Sequence, residues 1–300
     1  NVLENLESCE LDIEQSPGNW GQWDKANVRE MRRIYSSYAA VPFDLYRQLV
    51  RIESTGPRLQ KKLIAKRDKE AAIEHISHVL DIARQEADCK QKLYETKTGF
   101  GALLKNHVND FDETELNSLH NDVINILKKT FFFNPPQWEQ DDEQLCKALS
   151  KRDLMWLGTL LLQQLGFDFY KGRLIISHTQ PFCGGTNHDA RLLVRCSDPP
   201  RFFYTLSDVL YQGGRGLYMQ HIPAARANQP AGSLSGMPTV EAVSLLLENF
   251  IGSSPAFFQY LEKEIKTLPS NPSDDTYRAG NLLKHKKDLL NKHRPGEPIQ

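Results

Sequence analysis

No stretch of this chain reaches the roughly 18 uninterrupted apolar residues that a membrane-spanning helix needs. The longest apolar cluster, "LMWLGTLLLQQLGFDF" from Leu154, is broken by Gly158, Gln163 and Gln164 and reads as a buried helix. An excess of one charge is also missing: 37 basic residues stand against 38 acidic ones over 300 residues, a net charge of -1. Charges interspersed in this way offer no bulk attraction to nucleic acid or to an anionic membrane, and they read as solvated helix faces. The opening "NVLENLESCELDIE" is acidic and lacks an apolar core, so it does not resemble a secretory leader. It starts at Asn1 without a methionine, the form of a trimmed or processed chain. Cysteine is scarce and odd in number: Cys9, Cys89, Cys146, Cys183 and Cys196 are widely scattered. That spacing argues against a disulfide framework and fits a reducing compartment. Internal repeats and low-complexity tracts are absent too. A soluble, cytoplasmic protein is the expectation.

What is present is mostly helical signal. "SPGNWGQWDKANVREMRRIYSSYAAVP" opens with turn residues, shows Val28, Met31, Ile34 and Tyr35 at helical spacing, and stops at Pro42. From Arg58 to about Tyr94 neither glycine nor proline interrupts, and Ile73, Ile76, Leu80 and Ala83 form an apolar stripe. "FDETELNSLHNDVINILKKTF" carries a capping box from Asp112 to Glu115 and turns Leu116, Leu119, Val123 and Leu127 inward. "NPPQWEQDD" reads as a loop, and helix resumes through "DEQLCKALSKRDLMWLGTLLLQQLGF". The pattern then changes. "GRLIIS" and "DARLLVRC", separated by the turn-rich "HTQPFCGGTNH", predict a β-hairpin over 173–196. Helical phase returns at "PRFFYTLSDVLYQGGRGLYMQ" and at "PTVEAVSLLLENFIGSSPAFFQYLEKEIKTLP".

The glycines of "YQGGRG" have no phosphate-loop spacing and do not follow a strand in a βαβ unit, so they do not read as a nucleotide loop. Phe203, Leu206, Leu210 and Leu217 keep helical phase through Gly214. A continuous helix with a soft middle is predicted, since each interior glycine costs ~1 kcal/mol relative to alanine. His178, Cys183, His188 and Cys196, with His221, cluster near the strands but fit no compact metal spacing.

The block "GFDFYKGRLIISHTQPFCGGTNHDARLLVR", followed by "LYMQ" and "SLLLENFIGSS", resembles the carboxypeptidase Taq family of zinc metallocarboxypeptidases. The upstream "WDKANVREMRRIYSSYAAVPFDL" and "LNSLHNDVINILKK" follow that family in the same order, so the likeness covers most of residues 20–283. It implies a mainly α, elongated helical fold with a small β-hairpin or sheet beside a groove, and a homodimer. One domain over 1–300 is the expectation, with an N-terminal helical part at 20–170, a degenerate catalytic-type core at 171–283, a tail at 284–300, and the family's C-terminal part missing.

The family's chemistry rests on HExxH, two histidines one helical turn apart that hold zinc and a glutamate that activates water. In the register set by "GLYMQ" that motif falls on Tyr211, Gln212, Gly213, Gly214 and Arg215. Arg215 has no lone pair to give, and Gln212, at the general-base position, cannot accept a proton. The third ligand of the family corresponds to Glu241, thirty residues after Tyr211. The family's "HPF" corresponds to Gln180, Pro181 and Phe182, and its "DxRxT" retains Asp189 and Arg191; these, with Tyr218, are the candidate groove residues. A complete structural zinc site is worth on the order of 10–16 kcal/mol, and two of three ligands are lost here. No cofactor is therefore expected. Either Arg215 takes over the metal's role as an ion-pair partner of Glu241, or it points to solvent. The implied function is a catalytically inactive relative that binds a peptide or protein. The alternatives are an active zinc-dependent carboxypeptidase with a rearranged site, and a purely structural or dimerising protein.

Overall fold

Hydrogen-bonding side chains, rather than long apolar runs, set most helix starts in the computed structural model, which describes residues 1–108, 113–130, 149–177, 180–196, 201–232, 236–268 and 281–284. The chain divides into two compact units. One comprises Asn1–Thr130 with Gln229–Ala231, and the other the remainder.

In the first unit, α1 (Val2–Gln15) is capped by the Asn1 side chain, which accepts from the Leu3 amide. It is tied to α2 (Gln22–Ala39) by Glu10, whose carboxylate accepts from Arg32 Nε at 2.8 Å. The long stretch beyond Pro42 forms α3 (Phe43–Lys66) and α4 (Lys69–Tyr94). The break has a local cause. Asp68 accepts from the Ala71 amide and starts a new helix, and Arg67 before it is left-handed, at φ 53. After α5 (Gly99–Leu104) comes α6 (Glu113–Thr130). Asp112 of the expected capping box and the side chain of Leu127 lie outside the described residues, as do the 134–142 loop and 285–300.

The apolar cluster of this unit is small: Val41, Leu45 and Ile82, with Leu49, Ile52 and Cys89 against them; Leu6, Val28, Ala87 and Ala102 are buried apart from it. Two stripes that periodicity points inward are solvent-facing instead. On α4, Ile73 is 65% exposed and Ile76 57%; on α6, Leu119 is 53% exposed. A period of 3.6 marks a face but does not provide a partner for it.

The second unit holds α7 (Lys151–Gln164), β1 (Gly172–Ser177), β2 (Phe182–Thr186), β3 (Asp189–Arg195), α8 (Phe202–Gln220), α9 (Gly236–Leu245) and α10 (Pro255–Ile265). Between α9 and α10 the backbone widens into a π turn over Leu246–Phe250. Helix α7, placed with the N-terminal helices by sequence alone, packs here against β1 and α8. Its start is the reciprocal Ser150–Asp153 capping box.

The sheet differs from the expected hairpin. "GRLIIS" and "DARLLVR" are parallel neighbours, β1 with β3, and the hairpin is β2 with β3, closed by Asn187 and His188. The order is β1-β3-β2. β2 is "FCGGT", whose two glycines read as turn signals, so the strand that makes the hairpin was hidden inside the apparent loop. The alternate residues Ala190, Leu192 and Val194 of β3 are buried with Val209 and Met219 of α8 and Leu162 of α7. The other side of α8 joins Leu157 and Leu161 of α7 and Phe258, Leu261 and Ile265 of α10 through Phe202, Leu206 and Leu210.

Helix α8 is thus enclosed from several directions, and its glycines permit this. A Cβ on Gly213 would strike Leu162 of α7. One on Gly214 would lie 2.6 Å from the Ser244 Cα of α9, and one on Gly216 would lie 2.6 Å from Leu192 and 2.8 Å from Phe167. The helix runs unbroken through all three. Close packing on each side replaces the soft middle implied by glycine propensity alone. No helix among the described residues is long and apolar enough to cross a membrane.

Candidate functional site

Four- and three-residue spacing places Tyr211, Arg215 and Tyr218 on one side of α8. The absence of side chains at Gly214 lets α9 approach closely enough to deliver Glu241 to that side. Arg215 Nη1 donates to Glu241 Oε1 at 2.9 Å, and the Tyr211 hydroxyl donates to Glu241 Oε2. Both carboxylate oxygens are therefore engaged. The guanidinium carbon also sits 5.9 Å from the centre of the Tyr211 ring, within cation–π range. The Arg215 and Glu241 side chains are 27% and 29% exposed, so the pair is only partly screened by water.

Each group is held in the state that suits this cluster. Burial, and then the hydrogen bond to Glu241, push the Tyr211 phenol above its ordinary range, which keeps it a donor. Cys183 of β2 feels the charge of Arg215, but burial dominates and raises its thiol to about 11. It is an inert, protonated thiol at neutral pH. Gln212 is buried, 4% exposed, and its Oε1 has no partner among the described residues. No hydrogen bond joins it to Glu241. Tyr218 is half-buried one turn beyond Arg215 and makes no hydrogen bond to the cluster among the described residues.

The remaining candidate residues lie elsewhere. Asp189 and Arg191 pair on β3, Nη2 to Oδ2 at 2.7 Å and Nε to Oδ2 at 3.0 Å, and that bond holds the Asp189 carboxyl below its usual range. They project from the sheet face opposite α8. Gln180 is exposed ahead of β2, and its backbone carbonyl accepts from Ser177 Oγ at 3.4 Å. His178 lies outside the described residues, and Cys196 is buried in the apolar core. Among the described residues no three His, Cys, Asp or Glu side chains gather into a metal-holding group.

Three contacts had no sequence signal as site features. Ser207 donates to Glu248 of the π turn, one helical turn before Tyr211. Cys183 is drawn to the cluster by β2, a strand that sequence did not reveal. Gln220 clamps the 168–171 turn: its Nε2 donates to the carbonyls of Asp168 at 2.8 Å and Lys171 at 3.1 Å, and its Oε1 accepts from the Asp168 amide at 3.0 Å.

In fold the chain is similar to solved metallocarboxypeptidases. It superposes on the metallocarboxypeptidase 1 of Trypanosoma cruzi with TM-score 0.71 at 20% identity, covering 95% of this chain and 56% of that one. On the Pyrococcus furiosus carboxypeptidase the score is 0.72 at 18% identity, covering 91% of this chain and 55% of that one. The profile of the carboxypeptidase Taq (M32) metallopeptidases matches residues 2–287, and the chain belongs to that family. In sequence it is 31% identical over 127 residues to Carboxypeptidase 1 of Bacillus subtilis, which is 42% of this chain and 25% of that relative. The chain thus spans little more than half the length of these solved relatives and aligns with a quarter of the Bacillus protein.

Membership raises the question of zinc. The donors gathered at α8 and α9 fit it poorly: a cation that cannot ligate, a phenol that keeps its proton, and one carboxylate already bonded through both oxygens. No HExxH string occurs anywhere in the chain.

Proposed function

We propose that this chain is a non-hydrolytic member of the carboxypeptidase Taq family that binds a peptide or protein partner without a metal. The observation that carries the proposal is the Arg215–Glu241 pair with Tyr211. In the family register these positions are the zinc ligands, and here a guanidinium supplies the positive charge that would otherwise neutralise Glu241. Gln212 supports the same reading, because an amide cannot serve as the general base, a role worth ~10²–10⁴ in rate. The helical frame and the sheet are held by apolar packing, and an extended peptide can add to an edge strand of a sheet.

Metal analysis and a peptidase assay on the same preparation test this. The expected result is no stoichiometric zinc or cobalt and no release of C-terminal residues from an unblocked peptide. Stoichiometric metal with release abolished by chelator would instead establish an active carboxypeptidase with a rearranged site. The register is testable separately. The triple variant Tyr211→His, Gln212→Glu, Arg215→His should bind zinc stoichiometrically with Glu241 as third ligand, and a further Glu241→Ala should weaken that binding markedly. Failure of the triple variant to take up zinc while still folded would refute the assignment of these positions. A binding role differs from a purely structural or dimerising one in a single readout: peptide-induced protection of residues 173–196 from hydrogen exchange is expected only for binding.

A further inference from the structure

Charge is balanced over the whole chain but not along α3. From Arg47 to Arg67 seven Lys and Arg residues stand against a single acidic one, Glu53. All seven are exposed. Among the described residues only Arg47 has an ion-pair partner, the exposed Asp44 at 3.6 Å. Spacings of four and seven put Arg47, Arg51, Arg58, Lys62 and Lys66 in one row along the helix. The row is a local positive field that the net charge of the chain conceals.

A second row runs beside it. Phe43, Tyr46, Val50 and Ile64 recur in phase, with Pro57 midway between the last two, and all face solvent; Phe43 is 72% exposed and Ile64 67%. The fold of this unit uses a different side of the helix. Leu45 and Gly56 are buried there, and Leu49 and Ile52 pack against the cluster of Val41, Leu45 and Ile82. The chain turns at Arg67 and Asp68 into α4, whose exposed Ile73 adds an apolar side chain at the end of the helix pair that carries Ile64. Apolar surface left in water along a whole helix marks a contact surface.

The two rows together say what covers it. A polynucleotide would use the cations but gain little from the aliphatic row. A partner helix would need apolar residues at alternating spacings of three and four, and the positions that would complete that seam hold Glu53 and Gln60. A lipid interface uses both rows, because apolar side chains enter the acyl boundary while cations stay among anionic headgroups.

We propose that α3 is an interfacial helix that docks on an anionic lipid surface. Phe43, Val50 and Ile64 reach the acyl boundary, and Arg51, Arg58, Lys62 and Lys66 meet the headgroups. The attachment is largely electrostatic, so it is reversible and weakened by salt. It shares no residue with the Tyr211–Arg215–Glu241 cluster and does not depend on the peptide-binding reading.

Flotation of the full chain with vesicles tests this, using phosphatidylcholine alone and phosphatidylcholine with phosphatidylserine at about 7:3. The chain should float with the second and not the first, and about 0.5 M salt should release it. Arg58→Gln, Lys62→Gln and Lys66→Gln together should weaken binding on the order of a hundredfold, at about fivefold per cation. Phe43→Ser with Ile64→Ser should weaken it at least about tenfold. Circular dichroism and melting should be unchanged in both variants, since every substituted side chain is exposed. Failure to float with the anionic vesicles, or binding that survives the cation variant, would overturn the proposal. Binding lost in the cation variant but untouched in the serine variant would replace the lipid surface with a general polyanion site. Tighter binding of a short DNA duplex than of the vesicles would replace it with a nucleic-acid site. A dimer in sedimentation equilibrium that dissociates in the serine variant would show that a second copy covers this face instead.

Discussion

Arg215 touches both an anion and an aromatic face, and its removal should be felt in stability. Arg215→Met keeps the stem's packing but leaves Glu241 half-buried with only the Tyr211 phenol. The loss should be about 1–2 kcal/mol, between the small worth of exposed pairs and the larger cost of breaking buried ones. Urea denaturation checks this, and Arg215→Met with Glu241→Gln should recover part of it; a neutral single variant would show that the pair contributes nothing. Cys183 makes a pH prediction. Its thiol is raised from the ordinary 9.0 to about 11 because burial disfavours the thiolate. A raised folded value means a stabilising contribution fully present below about pH 9 and lost as pH climbs toward 11. Alkylation of Cys183 should therefore be slow at pH 8 in the folded chain and become fast on unfolding, a contrast measurable by mass spectrometry. The sequence singled out Tyr211, Arg215 and Glu241 as candidates, and the structure joins the three by hydrogen bonds. The sequence did not show Cys183 beside them, because that proximity depends on how β2 is placed.

At the scale of elements, α8 shows how a sequence cost becomes a packing requirement. Three interior glycines each weaken an isolated helix by ~1 kcal/mol, yet the helix is continuous because α7, α9 and the sheet approach where side chains are missing. Gly214→Ala should therefore destabilise despite its better helix propensity, by roughly 2–4 kcal/mol, since the new methyl meets the Ser244 backbone, which cannot rotate away. Gly213→Ala should cost less, because its methyl meets the end of the Leu162 side chain. Thermal melts of the two variants decide the order, and equal costs would contradict it. The apolar phase of α8 was legible: Phe203, Leu206 and Leu210 are all buried. The strands were legible as runs but not as partners. Period-two burial says which face is inside, whereas parallel pairing of β1 with β3 follows from a third strand inserted beyond them.

For the whole molecule, the two units carry unequal cores. Among the described residues the first gathers one small cluster at Val41, Leu45 and Ile82, and the second packs α7, α8, α10 and the sheet into two larger ones. Calorimetry should resolve two unfolding transitions, the first unit melting earlier, and Gly214→Ala should lower only the later one. A single transition shifted as a whole by that variant would show one cooperative body. What the sequence by itself determined was the family, the helical class, and the chemical identity of Tyr211, Gln212 and Arg215. These follow from local properties: periodicity, capping side chains, and donors that a guanidinium or an amide cannot provide. The tertiary structure alone decided that Arg215 reaches Glu241, that Arg191 pairs with Asp189, and that the apolar stripes of α4 and α6 face solvent. Each of these depends on which distant segment comes into contact, and spacing along a chain does not encode a partner across it.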